Sequence, residues 1–299
     1  MTLTESMAAP PIEPRVPAAF RIRRGVSGAL PTPLVYASPH SGRHYPADMG
    51  SVLAGLAIRQ SEDALVDELI AETPELGVTL ITAQIARAYM DVNRLAFDLD
   101  PAMFADKLPP FAQGRSARVA AGLGAIARLV AEGQEIYDRK LSFAEAQDRI
   151  DRVHTPYHAG LEQLVVESQA KHGFAILIDW HSMPAAAAKT SGRDQGCDMV
   201  LGDRYGSACG GIVTRIVERE LQGLGYRVSR NTPYAGGFTT EHYGRPAQGR
   251  HALQVEINRA LYLDEASLTP TPGFAKLKAD LEHLTRRLAA EPWQSLRLE

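Results

Sequence analysis

The chain has little cysteine, no long apolar run and no excess of basic residues, and each absence narrows what it can be. Only Cys197 and Cys209 occur in 299 residues. They form neither a CxxC pair nor a zinc-ligand spacing, so a disulfide framework and a cysteine-held metal are excluded. Two reduced thiols fit this usage better than a bridge between them. No stretch approaches the roughly 18 apolar residues that span a bilayer. The N-terminal MTLTESMAAPPIEPRVPAAF lacks a basic region followed by an apolar core, so it does not read as a signal peptide. The expectation is a soluble, cytoplasmic protein without a membrane partner. A formal net charge of -3 gives no basic surface for nucleic acid. There is no internal repeat. There is also no GxSxG elbow, which weighs against a serine hydrolase although Ser41 and Ser182 sit beside histidines.

The remaining composition is that of a globular chain, with 45% hydrophobic and 22% charged residues. A chain of this length buries a large core unaided, so any metal serves chemistry rather than folding. Residues 1–18 are rich in Pro and Ala and read as a loose arm. Residues 19–299 read as one α/β domain in which short apolar runs alternate with amphipathic stretches. Strands are predicted at 34–38, 79–83, 175–179, 199–202, 226–229 and 252–257, and helices near 63–71, 142–171, 207–224 and 273–290. Ala175 to Ile178 is apolar on both faces, the mark of a central strand covered on each side. Ser142 and Glu145 make a capping box, and Pro156 predicts a kink or break in the helix that follows. Residues 98–141, punctuated by Pro and Gly, read as an insertion or lid over one end of the sheet.

Chemically capable residues collect where these strands end, the place where open α/β sheets bind ligands. His40 lies in Ser38-Pro39-His40-Ser41-Gly42, and His181 in Asp179-Trp180-His181-Ser182. Two such histidines suit a catalytic zinc, which needs three protein ligands and one open position. A carboxylate should be the third ligand. Asp63 is preferred over Glu62, although acidic residues also favour helix starts for their own sake. Arg87, Asn93 and Arg94 fall in one short run, and guanidinium groups grip carboxylates through paired hydrogen bonds. Salt bridges from Arg87 to Asp91 or Asp98 are the structural alternative. Glu256 shares a strand face with Gln254 and Asn258. It is the candidate general base, with a buried pair to Arg259 as its competitor. The 231–246 stretch reads as a substrate-binding loop and offers Tyr234, Gly237, Thr239, His242 and Arg245.

Together these motifs resemble the N-formylglutamate amidohydrolase family: SPHSG at 38–42, RAYMDVNR at 87–94, DWHSMP at 179–184, GDRYGSAC at 202–209, NTPYAGGFTTEHYGRP at 231–246 and ALQVEINRALY at 252–262. The arrangement also looks distantly like zinc carboxypeptidases and aspartoacylases. That resemblance implies a three-layer, phosphorylase/hydrolase-like α/β fold with a mostly parallel or mixed sheet and helices on both faces. It implies His40 and His181 as metal ligands, Asn93-Arg94 binding substrate and Glu256 as base. Arg43 stands where the carboxypeptidases place a Glu ligand, so the carboxylate must come from elsewhere, Asp63 being the choice. The implied reaction is metal-dependent hydrolysis of N-formyl-L-glutamate to formate and L-glutamate, with Arg87 at the oxyanion. Zinc is the expected metal, with cobalt and manganese as alternatives, and histidine breakdown is the implied pathway. The alternatives are a deacylase or peptidase for another N-acyl amino acid, such as an N-acyl aspartate, and a catalytically silent binder. Monomer and homodimer are both open.

Overall fold

The computed structural model describes residues 17–26, 31–130, 133–189 and 196–296. The expected N-terminal arm lies outside them apart from its last two residues. Strands β1 (Phe20–Arg23), β2 (Leu34–Ser38), β3 (Thr79–Ala83), β4 (Ala175–Met183), β5 (Met199–Gly202), β6 (Val228–Arg230) and β7 (Arg250–Asn258) form one sheet in the order β1-β3-β2-β4-β7-β5-β6. The pairs of β2 with β3, β2 with β4 and β4 with β7 are parallel. β1 and β5 run antiparallel to their neighbours, which makes the sheet mixed.

β4 runs four residues past its predicted end. All nine of its residues are buried, and β7 pairs with it along the whole length. Its alternation separates two layers of core. Ala175 and Leu177 face one cluster with Val35 and Ala37, whereas Ile176, Ile178 and Trp180 face the other with Tyr36. Asp179 and His181 have the parity of Ala175 and Leu177. The short helix α1 (Val66–Leu69) and the longer α2 (Phe143–Arg149), α3 (Thr155–His172), α4 (Gly211–Gly223), α5 (Phe238–Tyr243) and α6 (Gly273–Ala290) surround the sheet. Apolar residues of α3, among them Tyr157, Leu161 and Leu164, fill the first layer. Val213 and Val217 of α4 and Leu277 and Leu281 of α6 fill the second. Both faces are therefore covered, and polar chemistry is confined to the strand ends.

The expected break at Pro156 is a π-turn. α2 opens on the Ser142–Glu145 capping box and leads through π-helical Ile150–His154 directly into α3, with Pro156 in its first turn. A π-turn absorbs the hydrogen bond that proline cannot make, so the helix continues instead of ending. It also sets His154 and His158 to donate to the carbonyls of Arg94 and Val92, at 2.9 and 2.7 Å. Burial, aided by His154, pushes His158 down to about 3, so the ring stays neutral and holds the 92–94 backbone at any working pH.

Just before this turn, Arg149 is buried without a carboxylate partner among the described residues. Its guanidinium donates to Tyr137 Oη at 2.7 Å and to the carbonyls of Tyr89 and Met49, and lies 4.3 Å from the Tyr89 ring centre. Arg149→Met leaves three buried acceptors without their donor, a loss of about 2–4 kcal/mol. A urea midpoint from circular dichroism should fall accordingly. A change below ~1 kcal/mol would mean that water replaces the guanidinium there.

Candidate metal centre and active site

The parallel strands β2, β4 and β7 end side by side. The chain leaves β2 towards β3 and leaves β4 towards the opposite edge of the sheet, so a crevice opens between their carboxyl ends. A cavity of about 480 Å³ occupies it, lined by His40, Asp63, Arg87, Asn93, Arg94, His181, Tyr234, Gly237 and Glu256 among others. A larger groove of about 710 Å³ lies between Arg43 and Arg59. The cations there are paired with Asp67, Glu68 and Glu62, and it contains no comparable set of catalytic groups.

Three buried side chains converge at the cavity floor. His40 stands in the turn after β2, His181 projects from β4, and Asp63 is held by its backbone N–H donating to the His40 carbonyl at 3.0 Å. Asp63 Oδ2 lies 2.9 Å from His181 Nδ1 and 3.4 Å from His40 Nδ1. One donor atom from each residue fits within 4.8 Å of the others. Glu62, the alternative ligand, is drawn away by Arg59 at 3.0 Å and by the Tyr45 hydroxyl at 2.8 Å. Arg43 points to Asp67 and Glu68, outside the cavity.

The outer nitrogens of both rings are also assigned. His40 Nε2 meets Asp91 Oδ1 at 2.8 Å, and His181 Nε2 meets Asp179 Oδ2 at 3.0 Å. A carboxylate on the far nitrogen puts the proton there and leaves Nδ1 as the basic atom, the arrangement by which metal-ligating histidines are oriented. His40 Nδ1 is buried and makes no hydrogen bond, an orphan costly to leave without a partner. Two imidazoles and a carboxylate suit a divalent cation of the zinc type, so the residues present fit a metal. Burial alone would disfavour charge on Asp63 and His181. Mutual attraction wins instead: Asp63 is held well below the carboxylate range and His181 well above the imidazole range by Asp179, Asp63 and Glu256.

Glu256 faces this cluster from β7, in register with His181. Its recorded hydrogen bond is from Gln254 Nε2 at 2.8 Å. The competing pair with Arg259 is not formed, because Arg259 donates to Ser182 Oγ, to the Glu62 carbonyl and to Asp63. Burial, against the pull of His181, raises Glu256 to about 7, well placed for a base that must also act as an acid. Arg87 forms the salt bridge foreseen as its structural alternative, to Asp91 at 2.6 Å, and still lines the cavity.

The 91–94 segment is held from several sides. Asp91 Oδ1 accepts the Asn93 N–H at 2.8 Å, and Asn93 Oδ1 accepts the Thr239 N–H at 2.8 Å. Arg94 spends Nε on the Leu123 carbonyl and Nη1 on the Asn93 carbonyl, and burial brings it down to about 10. Gly237 approaches Asn93 so closely that an added Cβ would sit 2.5 Å from its amide nitrogen. Gly237→Ala should therefore displace Asn93 and lower kcat/KM about 10- to 100-fold. Steady-state kinetics checks this, and an unchanged constant would show that Asn93 can move without consequence.

The stretch read as one loop contains helix α5, and this divides its candidates. Tyr234 and Gly237 reach the cavity. The Thr239 side chain is buried and its N–H holds Asn93 Oδ1 at 2.8 Å. His242 stacks on Phe238 at 5.0 Å, and Arg245 donates to the carbonyls of Glu241 and Gly244. Thr239, His242 and Arg245 do not line the cavity. Sequence reasoning gave Asp91 only a structural salt bridge and assigned no role to Asp179, Gln254 or Arg118, all of which the structure brings to the site. Asp179 could have been found, being two residues before His181 on one strand face. Gln254 follows from the same alternation on β7, whereas Asp91 and Arg118 follow only from tertiary placement. Cys197 and Cys209 are both buried and form no disulfide, and among the described residues no helix is long and apolar enough to cross a membrane.

Residues 32–263 match the N-formylglutamate amidohydrolase family. An N-formylglutamate deformylase of Pseudomonas aeruginosa is 29% identical over 88% of this chain and 92% of its own length. One from Pseudomonas putida is 26% identical, over 78% and 82%. The crystal structure of N-formylglutamate amidohydrolase from Ralstonia eutropha JMP134 superposes with a TM-score of 0.86 at 41% identity, over 91% of this chain and 97% of that one. An Agrobacterium tumefaciens gene product, 17% identical with a TM-score of 0.62 over 91% and 95% of the two chains, shares the fold.

Proposed function

The chain belongs to the N-formylglutamate amidohydrolase family, and on that premise we propose that it hydrolyses the formyl amide of N-formyl-L-glutamate, releasing formate and L-glutamate. The observation that carries the reading is the convergence of His40, Asp63 and His181 beside Glu256 in one buried cavity. A divalent metal held by the three ligands, zinc by preference and cobalt or manganese as alternatives, would supply Lewis acidity to the attacking water and the amide carbonyl.

The chain's own residues do the rest. Asp91 and Asp179 fix the two imidazole tautomers and keep the ligand atoms in place. Glu256, poised near neutrality, takes a proton from the attacking water and returns it to the leaving nitrogen. Arg87 keeps guanidinium donors beyond the one given to Asp91, and these face the oxygen on which negative charge develops. Asn93 and Arg94 orient the amino-acid part of the substrate through its α-carboxylate. The apolar wall of Leu123, Ala127, Leu129 and Val130 lets residues 98–141 act as a lid against bulk water. The reading keeps the enzyme in the cytoplasm, in histidine breakdown.

Initial rates on N-formyl-L-glutamate, N-formyl-L-aspartate and N-acetyl-L-aspartate test the assignment. The first should be preferred. Preference for an aspartate substrate would move the protein to a neighbouring deacylase activity, and no turnover of any would support the silent binder.

A further inference from the structure

A dicarboxylate substrate needs two cationic contacts, and the loop residues offered for the second, His242 and Arg245, lie outside the cavity. Four arginines line it: Arg87, Arg94, Arg118 and Arg259. Three spend part of their donors inside the protein, and two of these, Arg87 and Arg94, already have roles at the amide and the α-carboxylate. Arg87 is bound to Asp91, Arg94 to the Leu123 and Asn93 carbonyls, and Arg259 to Asp63, Ser182 and Glu62. Arg118 is exposed at the cavity rim, and among the described residues its guanidinium has neither ion pair nor hydrogen bond.

Its placement is built rather than incidental. It stands on a single helical turn, Ala117–Ala120, capped by Ser116, whose hydroxyl is tied to Asp98 at 2.7 Å. Val119 anchors the turn in the core, and the Leu123 N–H donates to the Arg118 carbonyl at 2.8 Å. The same short segment supplies Leu123, whose carbonyl holds Arg94. Arg118 is close enough to Arg94 for its charge to lower the Arg94 pKa. The rim thus carries a positive field, with Leu129 and Val130 beside it to contact methylenes. Asp91 and Asp98 offset part of the repulsion between these two cations, and an incoming anion relieves the rest.

We propose that Arg118 binds the side-chain carboxylate of the substrate and sets the preference for an acidic over a neutral N-acyl amino acid. This rests on the hydrolase reading above. Arg118 is a specificity residue of the rim and not one of the ligand group His40, Asp63 and His181, so its loss acts on KM rather than on kcat.

The test compares N-formyl-L-glutamate with its neutral isostere N-formyl-L-glutamine, using the metal-loaded wild-type enzyme and Arg118→Gln. A lost charged hydrogen bond should raise KM for the glutamate substrate about 10- to 100-fold. Its kcat should change much less, and the preference over glutamine should collapse. An unchanged preference, or an equal loss on both substrates, overturns the proposal. If the wild-type enzyme turns over neither compound, the reaction reading fails by itself, and titration calorimetry with glutarate and butyrate decides the subsite. Glutarate should then bind wild type at least about 10-fold more tightly than the variant, with butyrate binding indifferent to the change. Equal glutarate binding, or none to either protein, overturns it.

Discussion

Glu256→Gln lowers kcat on N-formyl-L-glutamate by about 10²- to 10⁴-fold, the contribution of a positioned acid–base group, while fold and metal content are kept. The amide is nearly isosteric, so the hydrogen bond with Gln254 can be remade in the other sense. What disappears is the ability to take a proton from water and return it to nitrogen. The raised position of Glu256, about 7 and caused first by burial, also gives the pH profile a sign. Activity needs the carboxylate, so it falls as pH drops through the pKa. A divalent cation nearby favours the charged form and moves that limb below about 7. Metal analysis together with a pH–rate profile checks both points. A Gln variant with wild-type kcat, or an acidic limb well above neutrality in the wild type, would remove the base assignment.

The second large effect comes from the ligand cluster. His181→Ala deletes one ligand and leaves Asp63 and Asp179 buried without their shared partner. The protein should lose its bound metal and about 10³-fold or more in kcat/KM, since the lost stabilisation amounts to several kcal/mol. Asp91→Asn and Asp179→Asn should act more mildly. Each leaves all three ligands present but frees a ring tautomer, costing about 10- to 100-fold in metal affinity. The graded order, measured by competition with a chelator, separates ligands from the groups that orient them. Equal effects at Asp179 and His181, or metal retention in His181→Ala, would contradict the assignment.

Much of this site is legible because its parts obey local rules. Asp179 and His181 share a strand face by simple alternation, and the same rule pairs Gln254 with Glu256 on β7. The covered faces of the sheet leave polar residues a place only at strand ends, which is why the strand-end motifs converge. The loop 231–246 was harder to read. Its central residues Phe238–Tyr243 form a helix, and a 3.6-residue period carries His242 onto the Phe238 side, away from buried Thr239 and Tyr243. The choice between Asp63 and Glu62 also depended on partners distant in sequence, Tyr45 and the His40 carbonyl. Asp91 and Arg118 gave no periodic signal at all. Asp91 lies in an irregular segment and Arg118 on a single helical turn, and both are placed by tertiary hydrogen bonds, such as those from His154 and His158 to the 92–94 backbone and from Ser116 to Asp98.

The most direct test of the central claim is formate release from N-formyl-L-glutamate by the purified protein before chelation, after it, and after adding back zinc, cobalt or manganese. The account predicts that activity disappears with the metal and returns with a divalent cation bound in proportion to protein chains. Full activity in protein stripped of metal would contradict it, because the convergence of His40, Asp63 and His181 would then need another explanation.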